Sequence, residues 1–283
     1  MPPNQTLFEC VGSVSLASLW TAKNLSCVPF STTGNWEGSL LGNDAVIVAA
    51  ELQAAGLLVN CHLLNPTDKD FEFASEAIAR SRISAVDQQS GCITRSLCIE
   101  DASGVRNWIH SRVPRPKSPL IPFTGDYLYL DYYPEFVEFF NKQIWQRLCR
   151  DQVTVVNCSA INDIGALPTL SFKPCVVQAS VPQSLSTNNA SILAREVLNR
   201  TSAQEVFLTR GECGAILAIP ENTWVLQAPR IHRGPILGAG AIFSVALLLG
   251  LGKGLDQEAL LDWCINETAE RISKVSRRAD HRP

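Results

Sequence analysis

Gly238-Ala239-Gly240-Ala241-Ile242-Phe243, followed by the apolar run Ser244 to Leu251, is the stretch that decides how the rest of the chain is read. Two glycines flank one small residue, and a helical pattern begins at once. A turn of this kind leaves backbone N–H groups without partners at a helix N-terminus, where the helix dipole favours an anion. Glycines beside an apolar helix also serve close packing, and the hexapeptide alone does not separate the two uses. It comes late in the chain, after a region of alternating strands and turns.

The bulk composition is compatible with one domain or one and a half. The chain has 283 residues, 46% hydrophobic and 18% charged, which is ordinary for an α/β protein with a sizeable core. The formal net charge is -3, and no basic cluster precedes the tail Arg271 to Arg282. That balance gives no support to nucleic-acid binding. Ten cysteines are scattered without a C-x-x-C pair, the pattern of reduced, mostly buried thiols. The four histidines are dispersed, so a zinc site has no basis. Met1 to Gln5 lacks the charged and apolar regions of a secretory signal, and the apolar run Ala239 to Leu251 is too short and glycine-rich to span a bilayer. The expectation is a cytoplasmic protein with no membrane partner.

Working outward, strands and helices alternate. Leu7 to Gly12 reads as a strand ending in a glycine turn, and Ala45 to Gly56 as a small-residue helix capped by Asn43 or Asp44. Leu57 to Leu64 is a core strand and Phe71 to Arg82 an amphipathic helix. Ile93 to Ile99 and Val105 to Ile109 form a hairpin. Asp126 to Asp131, Val153 to Cys158, Cys175 to Ala179 and Glu205 to Thr209 are strands, with helices over Pro134 to Arg150 and Ile192 to Asn199 between them. The glycine turn leads into a helix from Ile242, and Asp256 to Lys274 is the last helix. This alternation predicts a mostly parallel sheet with helices on both faces.

Two glycine motifs lie in sequence, Thr209-Arg210-Gly211-Glu212-Cys213-Gly214 and Gly238-Ala239-Gly240. Together they resemble the Thr-x-Gly-x-x-Gly and Gly-Ala-Gly-Asp motifs of the ribokinase-like (PfkB) carbohydrate and nucleoside kinase family. The resemblance covers nearly the whole chain by order of elements. It implies a Rossmann-like ribokinase fold, with an α/β core over 1–28, 43–88 and 113–283 and a small β lid over 29–42 and 89–112. It further implies a nucleotide beside Thr209, Gly211, Gly214 and Asn266, with ATP and Mg2+ as cofactors. It places an anion hole at Gly238, Ala239 and Gly240, and a small-molecule pocket at Ala17, Gly42, Asn43 and Val46. Lid pairing implies a homodimer, or contact with a partner protein, with Trp36 and Trp108 as candidate apolar surface.

The departures from the pattern all remove polar chemistry. Ala241 stands where the family has its catalytic Asp, Ala17 where it has a hydroxyl-gripping Asp, and Val46 where it has a substrate-contacting Asn. No Asn-x-x-Glu follows Ala179, so the family's metal-water motif is missing. The backbone donors of the anion hole do not depend on side chains and survive. The expectation is a nucleotide- or ligand-binding protein with impaired phosphoryl transfer, acting as a pseudo-enzyme or an assembly subunit. A working kinase is the alternative, with Asp44 or Asp131 as base, although Asp44 reads equally as a helix cap and Asp131 as a solvated turn; repurposed chemistry is a further one. Arg210 and Glu212 read as solvent-facing loop charges, and Cys213 as a small packed residue rather than a nucleophile.

Overall fold

The computed structural model describes residues 6–13, 15–22, 34–42, 44–66, 85–90, 94–101, 106–110, 123–132, 152–167, 170, 172–230 and 238–279. The expected helices over 71–82 and 134–150 lie outside these residues, as does Asn43.

A nine-stranded sheet forms the centre, in the order β13-β12-β11-β10-β9-β8-β1-β4-β5. Its strands are β1 (Leu7–Ser13), β4 (Leu58–Pro66), β5 (Ala85–Ser90), β8 (Tyr127–Asp131), β9 (Val153–Ala160), β10 (Val176–Ser180), β11 (Glu205–Thr209), β12 (Ala215–Ala218) and β13 (Thr223–Leu226). All neighbours from β5 to β11 pair in parallel; β12 and β13 are antiparallel. The parallel strands are buried nearly end to end, as strands covered on both faces must be. From β1 the chain builds outward to β4 and β5, then returns to β8 and builds the other way. The boundary between β1 and β8 is therefore the switch point, where open α/β sheets leave a crevice at the strand C-termini.

Four α-helices are described, numbered here in chain order: α1 (Asp44–Ala54), α2 (Thr187–Thr201), α3 (Ala239–Gly252) and α4 (Gln257–Ala279). Helices α1, α3 and α4 share one core cluster with Phe8, Cys10, Val59, Tyr129, Val155 and Phe207. Helix α2 covers the opposite face, packing Leu193, Val197 and Leu198 with Val177, Val206 and Leu208. Helix α3 is buried over Ala241 to Leu248, which is why its sequence is apolar all round.

The second sheet has the order β3-β2-β6-β7, with β2 (Ser15–Ala22), β3 (Gly34–Gly42), β6 (Thr94–Asp101) and β7 (Arg106–His110). The β6–β7 hairpin is as expected. Two boundaries differ from the sequence expectation: 15–22, and 89–90, which the expected lid includes but which end β5 in the main sheet. Ser15–Ala22, assigned to the core from sequence, pairs with β3 and β6 in this second sheet. The chain leaves the main sheet right after Ser13, one residue past the expected glycine turn, and nothing in Ser15–Ala22 itself tells which sheet it joins. At the other end β5 keeps residues 85–90 in the main sheet.

Candidate functional site

Two helices on one face begin at the C-terminal edge of the sheet, beside the switch point. The first is α3. Gly238 caps it in the left-handed region at φ 87°, and the first intrahelical bond runs from the Ile242 N–H to the Gly238 carbonyl. The helix thus starts at Ala239, three residues before the sequence pattern suggested. The N–H groups of Ala239, Gly240 and Ala241 form its first turn and have no intrahelical acceptor. Packing does not dictate the glycine at 240: a Cβ there would find its nearest neighbour, Ser180 Oγ, at 3.9 Å. Gly250, in the same helix, is the contrasting case, because a Cβ there would run into Leu260 and Trp263. Ala241 is 0% exposed and belongs to the core cluster.

The second helix is α1, and its beginning is acidic. Asp44 is half-buried, and its Oδ2 accepts from Asn157 Nδ2 at 2.7 Å. Asp131, at the end of β8, is 3% exposed and so is not a solvated turn residue. Its Oδ2 accepts from the Ala45 N–H at 2.8 Å, and its Oδ1 from the Tyr129 hydroxyl at 3.0 Å. Asn157 Nδ2 also donates to Tyr129 Oη at 2.9 Å. Gly12 makes room for this arrangement: a Cβ there would lie 2.6 Å from Ala45 Cβ and 2.9 Å from Asp131 Oδ2. Burial, and then the neighbouring Asp44 charge, push the Asp131 carboxyl up to about 8. Burial also raises Asp44, against the bond from Asn157 that favours its charged form. Beneath them the Cys10 and Cys61 thiols are pushed up by burial, with the Asp131 charge adding to it.

Sheet register aligns these groups. Asp131 pairs with Asn157, and Asn157 with Gln178, giving three adjacent polar side chains across β8, β9 and β10. Gln178 closes the row against α3: its Nε2 donates to the Gly240 carbonyl at 3.1 Å, and its Oε1 accepts from Ser244 Oγ at 2.7 Å. Two residues further along, Ser180 Oγ and Thr209 Oγ1 share a hydrogen bond of 2.8 Å. The sequence reading missed Asn157, Gln178, Ser180 and Ser244. The available signal was a polar residue inside a largely apolar element: Asn157 in β9, Gln178 and Ser180 in β10, and Ser244 in α3.

The remaining predicted positions are spread along the same edge. Thr209 ends β11, followed by a short 3-10 turn at Gly211–Cys213. Gly214 has φ 88°, and a Cβ there would strike the Leu226 carbonyl, so a glycine is required. The Gln183 side chain lies against Gly211. Arg210 does not face solvent: it is buried and donates to Thr187 Oγ1 and the Leu185 carbonyl, while Glu212 is exposed. Cys213 is half-buried and free. Asn266 is exposed on α4. Val46 is packed in the core, so its apolar character suits its place. Ala17 lies on β2 and Gly42 ends β3, adjacent strands of the second sheet. Among the described residues, no three or more His, Cys, Asp or Glu side chains are arranged to hold a metal ion, and no helix is long and apolar enough to cross a membrane.

By sequence, no family model and no curated protein matches the chain. Solved structures do match. A ribokinase from Cryptococcus neoformans in complex with ADP aligns at TM-score 0.69 and 14% identity, over 94% of this chain and 93% of that one. The tetrameric inhibited form of phosphofructokinase-2 from Escherichia coli aligns at 0.66 and 13%, over 94% and 93%. A nucleoside kinase from Methanocaldococcus jannaschii, an archaeal member of the ribokinase family, aligns at 0.64 and 14%, over 93% and 90%. The chain therefore has the ribokinase-like α/β fold expected from its two glycine motifs.

Proposed function

We propose that this protein is a diverged ribokinase-like protein that binds a nucleotide and a small hydroxyl-bearing ligand along the C-terminal edge of its main sheet, and that transfers phosphate weakly or not at all. The observation that carries this reading is the start of α3. Its first-turn backbone N–H groups, which have no intrahelical acceptor, suit a phosphate, while the residue in the base position is a buried methyl, Ala241. A fold neighbour, the Cryptococcus neoformans ribokinase, was solved in complex with ADP, which supports the nucleotide. Its base would lie toward Thr209, Gly211, Gly214 and Asn266, and the small ligand toward α1 and the second sheet. The phosphate-facing donor set fits the anion; no carboxylate set is assigned to Mg2+. We place the protein in the cytoplasm, and a homodimer would pair through the second sheet.

The test has two arms. ADP and ATP should raise the unfolding temperature, and ATP should turn over far below the 1–10³ s⁻¹ typical of enzymes. Turnover within that range overturns the reading. In the second arm, Ala241→Asp should raise transfer to a bound hydroxyl ligand by about 10²–10⁴-fold, the usual worth of a general base. No gain would mean that more than the base is missing.

One observation favours a second reading, a working kinase. Asp44 is a half-buried carboxylate at the start of α1, and burial raises its pKa above the ordinary carboxylate value, which makes it a stronger base. Under that reading Asp44→Asn abolishes turnover while leaving ADP binding intact.

A further inference from the structure

Two buried side chains approach one carbonyl at the start of α3. Gly240 O accepts from Gln178 Nε2 at 3.1 Å and lies 3.1 Å from Ser244 Oγ. Gln178 is 1% exposed and Ser244 0%. A regular helix would tie this carbonyl only to the N–H four residues on. Here the sheet reaches up and holds it as well. The Gly240 carbonyl and the Ala241 N–H belong to one planar trans peptide and point in opposite directions. Fixing the carbonyl toward Gln178 therefore fixes the Ala241 N–H toward the open end of the helix. The same hydrogen bond draws electrons from the amide and makes that N–H a stronger donor.

We infer that Gln178, held by Ser244, is a positioning residue for the anion turn: it orients and polarises the Ala241 N–H that faces a bound phosphate. Gln178 itself touches no ligand. Its side chain is used up by two bonds inside the protein, and Ser244 fixes which end of the amide faces Gly240. The row Asp131, Asn157, Gln178 gives this device a rigid base, because each member stands in register on a neighbouring parallel strand. A glutamine in the middle of Val176-Val177-Gln178-Ala179 is costly to bury without such a role for both amide ends. The inference rests on the reading of α3 as an anion site, and the experiment separates the two.

The probe is the ratio of ADP to adenosine dissociation constants, measured by calorimetry on the full chain. The wild-type protein should prefer ADP. If it binds adenosine as tightly as ADP, or neither, the anion reading fails before any variant is compared. Given a preference, Gln178→Leu should weaken ADP by about tenfold, equivalent to about 1.4 kcal/mol, and leave adenosine unchanged. Ser244→Ala keeps the Gln178–Gly240 bond but frees the amide, and should weaken ADP by a few-fold, again without touching adenosine. A preference unchanged in both variants overturns the inference, as does a loss shared equally by ADP and adenosine, which is what a purely structural role would produce. If Gln178→Leu does not fold, Ser244→Ala decides alone by the same criterion.

Discussion

The beginnings of α1 and α3 make a natural comparison. Both helices start at the same edge of the same sheet, on the same face, yet one end is acidic and the other has no side-chain chemistry. Helix α3 opens with Ala239-Gly240-Ala241 and presents backbone donors alone. Helix α1 opens with Asp44 and rests its second N–H, that of Ala45, on the buried carboxylate of Asp131. The first offers backbone donors with Gln178 and Ser244 bonded behind them; the second places particular side chains at the helix end itself. Backbone N–H donors do not depend on side-chain identity, so the residues at 239–241 leave them in place. The acidic end is held by a built network instead, and its stability should depend on pH.

That dependence is the largest expected effect and the sharpest way to break the comparison. The Asp131 carboxyl titrates near 3.8 when unfolded and near 8 when folded, raised by burial and then by Asp44. Between these values the folded protein holds a proton that the unfolded chain has released, so the unfolded state binds fewer protons and stability falls as pH rises. The contribution is complete below about pH 4 and lost by about pH 8. Urea denaturation across that window should show a decline on the order of a few kcal/mol. Asp131→Asn removes the titrating group and should flatten the curve. A wild-type curve that is flat, or rises, means that Asp131 does not retain its proton in the folded protein.

Next in size is Gly12. An added Cβ would meet Ala45 Cβ at 2.6 Å and Asp131 Oδ2 at 2.9 Å, so Gly12→Ala must move either α1 or the carboxylate. Overpacking of this kind costs about 1–3 kcal/mol. Loss of stability by equilibrium unfolding, together with a changed pH slope, would tie the glycine to the acidic end. A neutral outcome would show α1 to be loosely seated and the Asp131–Ala45 bond dispensable.

Much of the scaffold was legible in the sequence because it rests on local signals. Apolar strands alternating with helices, Gly214 with its positive φ and the cap at Gly238 all announce themselves within a few residues. The site was only half legible. Asp131 precedes Tyr132-Tyr133-Pro134 and looks like a turn; it is buried because α1, more than eighty positions earlier, lands on it. Asn157 and Gln178 become neighbours of Asp131 only through parallel register across three strands, which no local periodicity encodes. Arg210 looks like loop charge until Leu185 and Thr187 close over it. Ser15–Ala22 reads as a continuation of the core, because sheet membership depends on pairing with residues 34–42 and 94–101.

The smallest effect tests the other half of the comparison, the claim that the α3 end presents backbone donors alone. Gly240 lies inside the first helical turn, is not in the left-handed region, and would place a Cβ no closer than 3.9 Å to Ser180 Oγ. Gly240→Ala should therefore be free of clash and raise stability by about 0.5–1 kcal/mol, the ordinary gain of alanine over glycine in a helix. It removes no N–H group and leaves the carbonyl to which Gln178 donates. Gly250→Ala in the same helix is the control: its Cβ would enter Leu260 and Trp263, so it should destabilise instead. Opposite signs for the two substitutions, read from urea midpoints, would establish that packing requires one glycine of α3 and leaves the other free to serve as an open donor turn. A loss of stability at both would return Gly240 to a packing role and remove the ground for treating the start of α3 as a site.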